Sequence, residues 1–144
     1  MPKTPDPAEL LRDAKSVLFI DWPHQDVPGS VIRTGRTVYG HEPHGFGVHA
    51  IVDETDDERA RRFPVTGGGY LTMTTIDPPE SVDLVCTFRP PDEQPEIARN
   101  AIAMGAKSFW IHPGEGSSDE ARTTCDEAGV AFVDGVDIRE VGYL

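Results

Sequence analysis

The segment Ser16–Ile20 reads SVLFI, with no polar residue after its first. A strand with one wet face alternates polar and apolar residues, so a run without alternation is covered on both faces. Strands of that kind belong inside parallel sheets flanked by helices. Residues 82–88 (VDLVCTF) and 107–112 (KSFWIH) are further strand-like runs. Helical patterns lie between and after them. Asp92 can cap a helix over 93–104, on which Ile97, Ala98, Ala101, Ile102 and Met104 share one face, and Gly105 ends it. Ser117 and Glu120 have the spacing of a Ser-x-x-Glu capping box, for a helix running to Ala128. A strand over 130–134 follows. At the front, Asp6 and Pro7 open a short helix. A helix over 27–34 closing at Gly35 precedes a strand over 36–40.

Strands alternating with helices predict an α/β class, Rossmann-like chain with a mostly parallel, doubly wound sheet and helices on both faces. Ser16–Ile20 should lie at its centre, between the second strand and 82–88. Two mononucleotide-type halves fit this order. The 144 residues correspond to one domain, 1–144. Its stretch of about 44–81 reads as an irregular insertion. The run 53–62 (DETDDERARR) reads as a solvated helix or loop, Gly67-Gly68-Gly69 as a breaker, and 70–76 as a strand.

With 14 glycines and 13 prolines, the chain should be rich in loops. Its net charge of −12 argues against nucleic acid and anionic membranes, both of which need a basic footprint. No apolar run approaches the ~20 residues of a membrane span. Met1 to Leu11 lacks a basic start followed by an apolar block, so no secretory leader is expected. The two cysteines, Cys86 and Cys125, are expected to be reduced thiols in a cytoplasmic protein.

Doubly wound sheets bind ligands outside the carboxyl ends of their strands. The corresponding loops are 21–26, 41–47, 88–93 and 112–118. They hold four of the five histidines: His24, His41, His44 and His112. Asp21, His24, His112 and Glu115 could supply acid–base chemistry there. Trp22, His41, Phe88, Arg89 and Pro90 are candidate ligand contacts, with Arg89 suited to a phosphate or carboxylate. The turn Pro113-Gly114-Glu115-Gly116 adds Pro113, Gly114 and Gly116, whose glycines allow close backbone approach. His41-Glu42-Pro43-His44 and His49 match no zinc spacing, so no metal is expected.

The run from 82 to 138, VDLVCTFRPPDEQPEIARNAIAMGAKSFWIHPGEGSSDEARTTCDEAGVAFVDGVDI, resembles the small stand-alone CoA-binding domain proteins, relatives of the CoA-binding part of the alpha chain of succinyl-CoA synthetase. It follows their strand, Arg-Pro turn, acidic helix start, Gly-Ala-Lys, Trp strand, Gly turn and Ala-Gly strand in order. Residues 6–20 resemble the family's entry helix and first strand, and 35–43 its second strand. The resemblance implies a Rossmann-type fold and CoA as the ligand, with backbone N–H groups after the first strand on the pyrophosphate.

There are two departures. Asp21-Trp22 stands where the family has Gly, in a shorter loop, and the middle of the chain is longer. A carboxylate where phosphate approaches predicts weak CoA binding. The expected function is therefore binding of a nucleotide-bearing or other anionic small molecule in the crevice. An enzyme on the same scaffold, using Asp21, His24, His112 and Glu115, is the alternative. A regulatory or scaffold subunit is a weaker one. The expected partner is a small-molecule ligand, and a homodimer is left open.

Overall fold

The computed structural model describes residues 6–22, 26–32, 36–41, 48–53, 61–64 and 70–141. In chain order the elements are α1 (Pro7–Asp13), β1 (Ser16–Ile20), α2 (Asp26–Ile32), β2 (Thr37–His41), β3 (Val48–Asp53), β4 (Arg61–Pro64), β5 (Tyr70–Ile76), β6 (Leu84–Thr87), α3 (Gln94–Ala103), β7 (Ser108–Ile111), α4 (Asp119–Ala128), β8 (Ala131–Asp134) and α5 (Ile138–Val141). The strands form one sheet, ordered β4-β5-β3-β2-β1-β6-β7-β8.

The unalternated run of β1 finds the position its composition requires. It lies between β2 and β6, parallel to both, with Ile20 opposite His41 on one side and Thr87 on the other. Strands β7 and β8 extend the parallel part. Alternate residues of β1 feed two cores. Val17 and Phe19 pack with Leu11 of α1, Val27 and Val31 of α2, Trp110 and Ile138 of α5. Leu18 packs on the opposite face with Val85, Phe109, Ala98 and Ala101 of α3, and Ala121 and Cys125 of α4. Asp83 pins β1 to the start of β6: its Oδ2 accepts the Lys15 and Ser16 N–H groups at 2.8 and 3.2 Å, and its own N–H donates to Ser16 Oγ at 3.0 Å.

The middle of the chain corrects the sequence reading. The described residues of 44–81 form three strands, and Arg61–Pro64 takes in the end of the charged run assigned to a solvated helix or loop. β3 runs antiparallel to β2, and β5 and β4 continue antiparallel outward. The left half is thus an antiparallel extension instead of a mononucleotide-type half. Pairing between distant segments decides short strands, and charge density obscures them in the sequence. Gly67–Gly69 lies outside the described residues.

Two reversals bring β5 back parallel to β2, so Ile76 ends at the same edge of the sheet as Ile20 and His41. The chain must then return to the opposite edge to begin β6. Only the seven residues between Ile76 and Leu84 make this crossover. Parallel crossovers usually need a dozen or more residues, with a helix. Pro78-Pro79 makes this one a thin extended strap instead.

Helix caps differ in detail from expectation. Asp6 caps α1, accepting the Ala8 N–H at 3.1 Å. Glu93, not Asp92, holds the N-cap position of α3, without a side-chain cap bond. Ser118 caps α4, its Oγ accepting the Ala121 N–H at 3.1 Å, so the Ser117–Glu120 box does not form. Cys86 and Cys125 are both buried free thiols. Burial pushes the Cys125 thiol up to about 11 and Cys86 higher still. Among the described residues, no helix is long and apolar enough to cross a membrane.

Candidate functional site

From β1 the chain moves to β2 on one side; from β6 it moves to β7 on the other. The order reverses between β1 and β6, the position where doubly wound sheets open a crevice. Asp21 and Arg89 meet across this gap.

Asp21 donates its N–H to the His41 carbonyl at 2.9 Å, extending the strand pairing by one residue. It then turns with φ at 63°, the left-handed region. Glycine enters that region freely, and Asp is among the few other residues that tolerate it. The turn puts Oδ1 on the Trp22 N–H at 2.9 Å and Oδ2 at 3.3 Å from Arg89 Nη1. Arg89 also forks onto Glu93, with Nε to Oε1 at 3.2 Å and Nη2 to Oε2 at 2.7 Å. The guanidinium is thus held between two carboxylates, which keep its pKa above the usual value, Glu93 contributing most.

The Arg89 backbone is clamped at both ends. Its N–H donates to Thr87 Oγ1 at 3.1 Å, and its carbonyl accepts from Gln94 Nε2 at 3.1 Å. Gln94 is fully buried. Its Nε2 also donates to the Gly116 carbonyl at 2.8 Å, and its Oε1 accepts the Ser118 N–H at 2.9 Å. One side chain therefore ties the turn after β6 to the turn after β7. Sequence reasoning missed Gln94, because a glutamine at a helix start carries no signal of its bonding partners. Pro90 shapes the first turn by accepting the Glu93 N–H at 3.0 Å.

His112 follows β7, with its N–H on the Thr87 carbonyl at 3.1 Å. Its ring stacks on Phe88, centroids 4.2 Å apart. Nδ1 is sealed from solvent without a hydrogen-bond partner. Burial lowers the imidazole pKa; Arg139 adds to that, while Asp137 and Glu115 oppose it. Asp137 is forked onto Arg139, with a shortest contact of 2.7 Å, which depresses the Asp137 carboxyl. Pro113 leads into a turn in which Gly114 and Gly116 adopt φ of 98° and 68°. The Glu115 N–H closes that turn on the His112 carbonyl at 3.3 Å.

The candidate residues Asp21, Trp22, Phe88, Arg89, Pro90, His112, Pro113, Gly114, Glu115 and Gly116 thus all lie at the carboxyl ends of β1, β6 and β7. His112 and Glu115 share one turn, whereas Asp21 sits two strands away, about 10 Å by strand spacing, and is engaged by Arg89. His24, Glu42 and His44 lie outside the described residues, so the acid–base set of Asp21, His24, His112 and Glu115 is described only without His24. Trp22 packs against the core on the β1–β2 side, close over Gly40.

His41 ends β2 but lines a cavity with Leu18 and Ile20, whereas Phe88, on which His112 stacks, belongs to the core of the opposite face. This cavity has a volume of about 510 Å³. Its floor is Leu18 and Ile20 of β1 and Val85 of β6; Ile76, Pro78 and Pro79 form one wall, and Ile97, Asn100, Ala101, Ala103 and Met104 of α3 the other. It exists because the strap fills less space than a crossover helix would. The one sequence signal for it was Pro78-Pro79, which forbids that helix. Among the described residues no three His, Cys, Asp or Glu side chains gather as a metal site.

A family model described as CoA binding domain matches residues 47–136. Among solved structures, the chain is similar to Prb, a redesigned-for-binding form of the PH1109 protein, at 20% identity and a TM-score of 0.67, covering 98% of this chain and 90% of that one. A hypothetical protein from Pyrococcus horikoshii OT3 matches at 19% identity and a TM-score of 0.64, covering 95% and 87%. A protein from Thermus thermophilus, cell-free ID.343, matches at 19% and 0.65, covering 94% and 92%. At these identities the likeness is one of fold.

Proposed function

This chain belongs to the CoA binding domain family, and from that premise we propose that it is a binding module for a nucleotide-bearing ligand of the CoA class. The base enters the apolar cavity, and the anionic end runs over the turns that follow β1 and β6, where Asp21, next in sequence to the cavity-lining Ile20, meets Arg89. One observation carries this reading: the cavity is floored by β1 and β6, the two strands on either side of the order reversal. Its volume of about 510 Å³ falls within the range of small-molecule sites. Apolar walls suit the faces of a flat base, and His41 and Asn100 offer polar edges.

The turns after β1 and β6 are less suited to the phosphates of CoA. Arg89 is already paired with two carboxylates, Asp21 and Glu93. Two carboxylates against one guanidinium leave an acidic surplus there. Two like charges about 4 Å apart repel by about 1 kcal/mol in water and by about 4 kcal/mol near a protein surface. CoA itself is therefore expected to bind weakly.

Calorimetry of the whole chain with CoA and with adenosine tests the reading. Both are expected to bind saturably and to compete for one site, with CoA weaker than micromolar. A micromolar or tighter CoA affinity in moderate salt would show that Asp21 costs nothing. Absence of saturable binding by either ligand removes the reading.

A further inference from the structure

Arg89 is the one guanidinium at the order reversal among the described residues, and its partners are unequal. The Glu93 contact is short, at 2.7 Å, and belongs to a fork within one helical turn. The Asp21 contact is long, at 3.3 Å, with the carboxylate 36% exposed. Charge-assisted bonds of full strength lie near 2.7–2.9 Å, so the Asp21 bond is the one that can be exchanged. Thr87 and Gln94 hold the Arg89 backbone from both sides, so the exchange takes place at the side chains. The Asp21 backbone is anchored by its N–H on the His41 carbonyl, while rotation of its side chain can withdraw Oδ2 from the guanidinium. Only Oδ2 is committed to the guanidinium.

We propose that Asp21 is a tethered stand-in for the anion of the ligand: its Oδ2 occupies Arg89 Nη1, and a ligand phosphate binds by taking its place. This rests on the reading of the site given above. A group tethered by a short segment competes as if present at millimolar concentration or more. An anion arriving at lower concentration does not displace Asp21 by itself. It does so when the rest of the ligand is anchored in the cavity. The contact therefore favours ligands that carry both a base and a phosphate over free inorganic phosphate. Direct repulsion by Asp21 would weaken CoA whether or not Arg89 is present. Competition for Arg89 requires the arginine.

The test is a double-mutant cycle read by calorimetry on the whole chain: wild type, D21N, R89Q and D21N/R89Q, each with CoA and with adenosine. Asparagine tolerates the left-handed backbone, so D21N keeps the turn. D21N is expected to bind CoA about tenfold tighter than wild type, the effect of one close charge at a half-exposed site. Adenosine affinity should not change. In the R89Q background the D21N gain should disappear. A gain that persists undiminished without Arg89 overturns the proposal, leaving repulsion alone, and so does a D21N affinity equal to wild type. If adenosine binds every variant while D21N leaves CoA unchanged, this inference alone falls. If neither ligand binds any variant, the reading of the site falls with it.

Discussion

The indole of Trp22 lies so close over Gly40 that a β-carbon there would overlap its ring and come within 2.7 Å of Ile51 Cδ1. Gly40 is in β2 and Trp22 follows β1, so the absence of one side chain lets the loop after β1 close onto the sheet.

Gly40→Ala should therefore destabilise the fold by about 1–3 kcal/mol, the usual cost of overpacking a filled core. Urea denaturation measures this. An unchanged midpoint would mean that Trp22 moves aside freely and is not held by its packing.

Gln94→Leu keeps approximate volume but removes bonds to Arg89, Gly116 and Ser118. Backbone groups in two turns would lose their partner, at about 1–3 kcal/mol for each group left buried and unpaired. A loss of about 3 kcal/mol in chemical denaturation is expected, with weaker CoA binding, because Arg89 would lose its backbone clamp. A loss below about 0.5 kcal/mol, the scale of ordinary surface substitutions, would show that the turns hold themselves.

His112 predicts a pH dependence with a definite sign. Its folded pKa lies below the usual 6.5, with burial the main cause. Below 6.5 the unfolded chain takes up a proton that the folded chain does not yet accept. Stability thus falls as pH drops from about 6.5 toward the folded pKa, then levels off with respect to this group. Asp137, whose pKa is depressed from 3.8, loses its contribution only below that value. The comparison is wild type against His112→Gln, by thermal denaturation between pH 7.5 and 5. The variant should show a shallower loss, and identical slopes would contradict the assignment.

Ala103 is exposed on α3 at the cavity wall. Ala103→Trp should obstruct the cavity and abolish adenosine binding, while stability shifts by under about 0.5 kcal/mol, as for most surface changes. Adenosine affinity equal to wild type would place the base elsewhere.

Much of this architecture is written locally in the chain. The unalternated runs of β1, β6 and β7 could only be interior strands, because no other placement hides both faces. Their alternation with helices implied parallel order, and parallel order directed attention to Asp21, Arg89 and His112 at the carboxyl ends. What remained hidden depends on partners distant in sequence. Arg61–Pro64 is a strand because β5 is beside it, and nothing within those four residues announces this. For Arg89 the sequence offers a ligand role or an ion pair with Asp92 or Glu93, and the Glu93 pair forms; that Asp21, 68 residues earlier, also reaches its Nη1 is decided only by folding. His41 and His112 both follow from the same loop rule, yet strand parity directs them toward opposite faces of the sheet. The cavity belongs to no single segment: a strap too thin to fill the place of a helix meets the flank of α3. Hydrophobic periodicity and turn chemistry act over a few residues and can be read in order along the chain. Charge pairing, side-chain clamps and enclosed volume arise only when separate segments are brought together, and those are the features that decide what this site can hold.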